Sequence, residues 1–247
     1  MRKESSREAR GLSAGLDEVG MGCLAGPLCA AVVVFPEKAP AIPGVDDSKK
    51  LSFSTRMALA PIIMKEALFF GIGWSQPSVI DQEGLSEAWR RACLDALEGA
   101  PEVELLRIDG NKRLNGFAGE QESFVKGDAR FWHIGAASII AKVARDLEMI
   151  GMSKHYPHYK WERNMGYGSK EHLEALFRLG PTRLHRGCFL KKIYHRFSDQ
   201  IDKSQLRWSR WMEEWSPAVE NHDNFTGFIK SDLEGVDMST DVEGTHY

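Results

Sequence analysis

Asp17 and Glu18 stand side by side in GLDEVGMGCLAGP, residues 15–27, where an apolar segment runs into a glycine loop. Adjacent carboxylates repel each other and each resists losing its water, so a pair placed here is expected to serve a cation. Two further acids stand at the ends of predicted strands: Asp109 in EVELLRIDG and Asp128 in QESFVKGD. A carboxylate set without His or Cys argues against structural zinc. It suits Mg²⁺ or Mn²⁺, hard ions that prefer oxygen ligands. The matching chemistry is phosphodiester hydrolysis with two metal ions roughly 3.5–4 Å apart, one lowering the pKa of the attacking water and the other stabilising the leaving oxygen.

Other residues could assist. Gly20-Met21-Gly22 reads either as a turn that exploits positive φ or as a place where main-chain N–H groups approach a ligand. No helix clearly follows it, so it is not a dinucleotide fingerprint. DDSKKL, residues 46–51, is either a solvated polar loop or a phosphate contact through Ser48 and Lys49. Asp146, inside an apolar helix and next to Arg145, fits a structural ion pair better than a catalytic role.

The elements that must position these acids follow from hydrophobic pattern. GLSAGLDEVG and LCAAVVVF read as strands joined across the glycine turn, and ALFFGIGWSQ as a third. LSFSTRMALAPIIMKEA reads as a helix capped by Ser52 or Ser54 and kinked or divided at Pro61. IDQEGLSEAWRRACLDALEGA is an amphipathic helix with Leu85, Ala88, Trp89, Ala92 and Ala96 on one stripe. EVELLRIDG and QESFVKGD are further strands, ASIIAKVARDLEMIGM a buried helix, and SKEHLEALFRLGP a helix from Ser169 to Gly180. The pattern predicts an α/β fold with a mixed sheet. Its first three strands are antiparallel, and the last two run parallel to the first. Carboxyl ends of parallel strands gather at one rim, which would bring Asp17, Glu18, Asp109 and Asp128 together.

The 247 residues, 43% hydrophobic, suit one domain with an appendage. No apolar run reaches membrane-span length, no signal peptide is evident, and the four cysteines lack zinc spacing. A cytoplasmic protein with reduced thiols is expected. The net charge of -3 hides an asymmetry. Residues 198–247 hold 4 Lys and Arg against 11 Asp and Glu, leaving 28 against 24 in residues 1–197. The division is thus a catalytic unit over 1–197 and an acidic tail over 198–247, partly disordered. Trp208, Trp211 and Trp215 in the tail are at helical spacing, read as packing on the body rather than as a partner-binding stripe.

Six ordered segments carry a resemblance: LDEVGMGCLAGPLCAAVV, DDSKKLS, IDGNKR, VKGDARFWHIGAASIIAKVARDLEM, GYGSKEH and HRGCF. Over about residues 12–194 the chain resembles ribonuclease HII of the bacterial branch. The resemblance implies a ribonuclease H-like fold, with a five-stranded sheet flanked by helices and a helical C-terminal region. It implies an endoribonuclease that cuts the RNA strand of RNA–DNA hybrids. It also implies incision 5′ of ribonucleotides embedded in duplex DNA, leaving 3′-hydroxyl and 5′-phosphate ends. Asp17, Glu18, Asp109 and Asp128 match the family's catalytic, metal-binding acids. Gly20, Met21 and Gly22 match the loop that reads the 2′-hydroxyl, Ser48 and Lys49 lie in the shared DDSKKLS segment, and Tyr167 matches the tyrosine that stacks at the RNA–DNA junction. The implied cofactors are two divalent cations, Mn²⁺ or Mg²⁺; the implied partners are hybrid and ribonucleotide-containing DNA, acted on by a monomer. The sequence departs from the family at Met21, where arginine is usual, and at Cys188, where serine is. Met21 motivates one alternative, a hybrid-binding protein of weakened activity. Another nuclease on the same fold, such as a resolvase or integrase, is the other.

Overall fold

The computed structural model describes residues 12–197, apart from Glu37 and Asp47, together with Trp208. Five strands form one sheet: β1 (Leu12–Val19), β2 (Leu28–Pro36), β3 (Phe69–Ser75), β4 (Leu105–Asp109) and β5 (Glu120–Phe124). Their order is β3-β2-β1-β4-β5. β2 runs antiparallel to both β1 and β3, whereas β4 is parallel to β1 and β5 to β4. This is the mixed sheet that the pattern predicts.

The central position of β1 explains its composition. Both faces are covered, so the strand is buried along nearly its whole length. Alternation in β2 serves both faces: Ala30, Val32 and Val34 pack to one side, Cys29, Ala31, Val33 and Phe35 to the other. On the first side lies α3 (Leu85–Ala96), burying Ala88, Trp89, Ala92 and Ala96 of the predicted stripe together with Cys93, while Leu85 is only partly buried. On the second lie α1 (Phe53–Glu66) and α4 (Trp132–Ser153). A third apolar cluster, including Met149, Trp161, Leu176, Leu190 and Trp208, draws in α5 (Trp161–Asn164), α6 (Lys170–Leu179) and α7 (Gly187–Arg196). Among the described residues no helix is long and apolar enough to cross a membrane.

Two details differ from the pattern-based expectation, and a third selects between the two caps it offered. α1 is continuous through Pro61, because the proline sits on the exposed face, where the carbonyl deprived of its N–H partner can be hydrated. Ser52, rather than Ser54, caps it by accepting from the Thr55 N–H at 3.1 Å. The segment 80–100 is not one helix: Gly84 takes φ 84° and separates α2 (Pro77–Glu83) from α3. The break lets the Asp81 carboxylate reach α7, where it accepts from the N–H groups of Gly187 and Cys188 at 2.7 and 2.9 Å. Ser169 caps α6 as expected. Trp208 is buried and donates to the Leu176 carbonyl at 2.9 Å, as packing on the body requires. Trp211, Trp215 and the acidic tail lie outside the described residues.

Candidate active site

Asp17 is the sixth residue of β1 and Asp109 the last of β4. These strands are parallel neighbours, and the pairing of Leu16 with Ile108 sets the two acids side by side at the rim. Asp128 arrives differently from the expectation. β5 stops at Phe124, Lys126 turns the chain at φ 57°, and Asp128 sits in a 3₁₀ turn, Gly127–Ala129. Asp109 holds that turn, since its Oδ1 accepts from the Gly127 N–H at 2.7 Å. Asp17, Asp109 and Asp128 thereby offer carboxylate oxygens within 4.8 Å of one another.

Glu18 is not in that group. Successive strand residues point to opposite faces, and its Oε2 accepts from Trp89 Nε1 at 3.3 Å, on the α3 side. It remains electrostatically coupled to the others. Burial pushes the Asp17 carboxyl well above the usual carboxylate range, and the Glu18 charge pushes it further. Burial also raises Glu18; its hydrogen bond from Trp89 and the charges of Lys49 and Lys112 act against that, while Asp109 adds repulsion. A divalent cation would relieve this crowding, and three all-oxygen donors form the set that such an ion prefers. The residues fit a hard divalent metal.

A cleft of about 460 Å³ opens on Asp17 and Glu18, with Ser48, Lys49, Lys142 and Tyr167 around it. Ser48 and Lys49 divide their roles. Ser48 is buried, its Oγ 2.7 Å from Ser138 Oγ, and the Ser138 hydroxyl favours the charged form of Asp17. Lys49 is exposed. Arg56 fastens their loop by donating to the carbonyls of Ser48 and Leu51 at 3.0 and 2.6 Å. Asp146 in turn holds Arg56 at 3.1 Å and Lys142 at 2.6 Å. Asp146 is structural, as its setting suggested, but its partners are Arg56 and Lys142 rather than the adjacent Arg145.

Arg145 serves the glycine loop instead. It donates to the carbonyls of Pro27, Ala25 and Met165, while Arg186 donates to those of Gly26 and Met21. Gly20 is required there: at φ 93° a Cβ would lie 2.3 Å from Arg145 Nε. The N–H groups of Leu24 and Ala25 reach the Gly166 carbonyl at 2.8 and 3.2 Å, so the glycine loop and the Tyr167 turn form one unit. Carbonyls of this loop face the buried guanidiniums. Among the described residues the N–H groups of Met21 and Gly22 have no backbone partner. Met21 itself is half-buried against the α3-side cluster. Tyr167 is 40% exposed, its ring 6.0 Å from the Arg145 guanidinium. Arg145, Arg186, Arg56, Ser138 and Trp89 were not identifiable from the sequence as parts of this site, although Arg186 lies in the HRGCF segment.

The family model described as Ribonuclease HII matches residues 14–195. A ribonuclease HII of Bacillus cytotoxicus is 46% identical over 191 residues, 75% of this chain and 72% of that protein. One from Synechococcus sp. (strain CC9311) is 42% identical over 185 residues, 73% of this chain and 94% of its own. The crystal structure of the ribonuclease H2 from Pyrococcus horikoshii OT3 superposes with a TM-score of 0.63 at 25% identity, covering 76% of this chain and 99% of that one. Together with the mixed sheet and the acidic cluster at its rim, these matches show that the chain belongs to the ribonuclease HII family, metal-dependent endoribonucleases with ribonuclease H activity on RNA–DNA hybrids.

Proposed function

We propose that this endoribonuclease, besides cutting the RNA strand of hybrids, incises duplex DNA 5′ of a single embedded ribonucleotide, leaving 3′-hydroxyl and 5′-phosphate ends. The observation that carries the reading is that one cleft is lined by Asp17, Glu18 and Tyr167 together, with the glycine loop stitched to the tyrosine turn. Asp17, Glu18, Asp109 and Asp128 act as the catalytic acids. When bound, Mg²⁺ or Mn²⁺, two per site, would lower the pKa of an attacking water and stabilise the charge on the leaving oxygen. Asp17, Asp109 and Asp128 would hold them, with Glu18 supplying charge from the opposite face of β1.

The chain's own groups account for substrate choice. Main-chain N–H groups of the Gly20-Met21-Gly22 loop approach the ribose 2′-hydroxyl, the group that tells RNA from DNA. Lys49 meets backbone phosphate, a contact that positions without reading sugar, and Ser48 orients Asp17 through Ser138. The exposed Tyr167 ring stacks where ribose gives way to deoxyribose. The same reading makes the protein a cytoplasmic monomer acting in ribonucleotide repair.

Cleavage of a duplex with one ribonucleotide, compared with a long hybrid, in Mg²⁺ and in Mn²⁺, tests this. Wild-type protein should cut both. Tyr167→Ala should lose more on the embedded ribonucleotide, by the roughly 1–3 kcal/mol that a base stack contributes. Equal losses on both substrates would remove Tyr167 from junction recognition. Failure to cut the embedded ribonucleotide would restrict the enzyme to hybrids.

A further inference from the structure

Tyr167 stands between Gly166, at φ 80°, and Gly168. Its local chain has little stiffness of its own, because glycine leaves the backbone free to adopt several conformations. Its position therefore depends on anchors. Its N–H donates to the Asn164 carbonyl at 2.8 Å. Its carbonyl accepts from the Ser169 N–H at 2.8 Å and, from the side, from His172 Nδ1 at 2.8 Å.

The His172 bond ends a chain whose proton positions are fixed by groups that cannot change role. The Thr182 N–H is an obligate donor and meets His185 Nδ1 at 2.9 Å, so that nitrogen accepts and Nε2 carries the hydrogen. His185 Nε2–H then donates to His172 Nε2 at 3.1 Å. Trp161 Nε1, also only a donor, meets the same His172 Nε2 at 3.1 Å. His172 Nε2 is thus an acceptor twice over, and its hydrogen lies on Nδ1, aimed at the Tyr167 carbonyl. Both imidazoles are buried, and burial lowers both pKa values, more strongly for His185, which His172 also disfavours as a cation. Each stays neutral, as the chain of bonds requires.

We infer that the buried His172–His185 pair is a positioning device for Tyr167: His172 Nδ1–H fixes the tyrosine's carbonyl, and so its ring, at the cleft. His172 is thereby a specificity-determining residue of this endoribonuclease. The consequence for specificity rests on the reading of Tyr167 as the junction stack; the positioning itself does not.

A wild-type measurement comes first and needs no variant. Long-range ¹H–¹⁵N correlation spectra read imidazole tautomers. The expected result is Nδ1–H for His172 and Nε2–H for His185. A His172 with its hydrogen on Nε2 overturns the proposal, since Nδ1 could not then donate. Two variants follow. His172→Asn keeps an amide donor near the place of Nδ1, whereas His172→Gln carries its amide further out and loses the tyrosine bond. The ¹³C-tyrosine ring resonance of Tyr167, assigned by its loss in Tyr167→Phe, should move in His172→Gln and stay in His172→Asn. An unmoved resonance in His172→Gln overturns the positioning.

On substrates, His172→Gln should lower the ratio of embedded-ribonucleotide to hybrid cleavage by the same factor as Tyr167→Ala, within the range of about 5–150-fold. His172→Asn should keep the ratio near wild type. Added to Tyr167→Ala, His172→Gln should leave the ratio where it was; a further fall would make His172 a general structural residue and overturn its specificity role. If Tyr167→Ala alone leaves the ratio unchanged, the junction reading fails, while the tautomers and the ring resonance still decide the positioning.

Discussion

Burial and the Glu18 charge hold the Asp17 carboxyl above its ordinary range, and this has a sign that can be tested. In metal-free protein the folded state binds the Asp17 proton more tightly than the unfolded chain does. The stability that this contributes is complete below the unfolded value, about 4, and is lost as pH rises through the raised folded value. Asp17→Asn abolishes this loss. Its thermal midpoint with chelator present should match wild type at low pH and exceed it by a few degrees near neutrality, since 1 kcal/mol moves a protein of this size by roughly 2–4 °C. Added Mn²⁺ should reverse the order by stabilising wild type alone. Cleavage by Asp17→Asn or Asp109→Asn should fall by more than the roughly 10–100-fold typical of losing an outer partner of a metal ligand. Near-normal turnover would end the assignment, and parallel melting curves at every pH would show that Asp17 is not strained. Residue type and a place at the ends of apolar segments made these acids conspicuous. What the sequence hid was the face each would take, because a two-residue pattern at a strand end does not tell which carboxylate joins the cluster and which meets Trp89.

At the level of elements, the strands and most helices were legible because alternation and amphipathic stripes are local signals. The supports of the glycine loop were not. Arg186 reaches the Met21 carbonyl across 165 residues of chain, and Arg145 reaches Pro27 across 118; no periodicity announces such pairs. The helical pattern runs through Gly84 without a break, because nothing in the neighbouring sequence shows that α7 needs Asp81. The loop's construction bears on Met21. With the Met21 carbonyl committed to Arg186, the proposed reading leaves the N–H groups of Met21 and Gly22 for substrate, whatever side chain stands at 21. Met21→Arg should therefore leave ribonucleotide preference nearly unchanged, since phosphates carry no sugar information. It should tighten binding and steepen the salt dependence, with a slope of about 0.9 per phosphate gained. The aliphatic stem of arginine can keep the apolar contacts that Met21 makes. Affinities for ribonucleotide-containing and plain duplex across a salt series check both. An unchanged slope would place position 21 away from phosphate; a lost preference would give the Met21 side chain a part in sugar recognition.

Across the whole molecule, the acids and Tyr167, the proposed junction reader, belong to different packing units. Asp17, near the carboxyl end of β1, and Asp109, the last residue of β4, belong to a sheet sandwiched between two apolar clusters, and β1 cannot be exposed without dismantling that sheet. Tyr167 rides on the third cluster, held by short helices, the histidine chain and Trp208. Proteins open in cooperative units of unequal stability, the lowest being those with the fewest buried contacts. The order of failure on warming follows. The C-terminal unit should loosen first, so that amide exchange quickens around residues 165–172 while β1 stays protected. Over that interval the enzyme should become less discriminating before it becomes inactive: hybrid cleavage should still rise with temperature as the preference for a lone ribonucleotide fades. Rates on the two substrates measured along one temperature ramp, beside hydrogen exchange, would reveal it, and a ratio constant up to the point of inactivation would mean that sheet and reader melt as one.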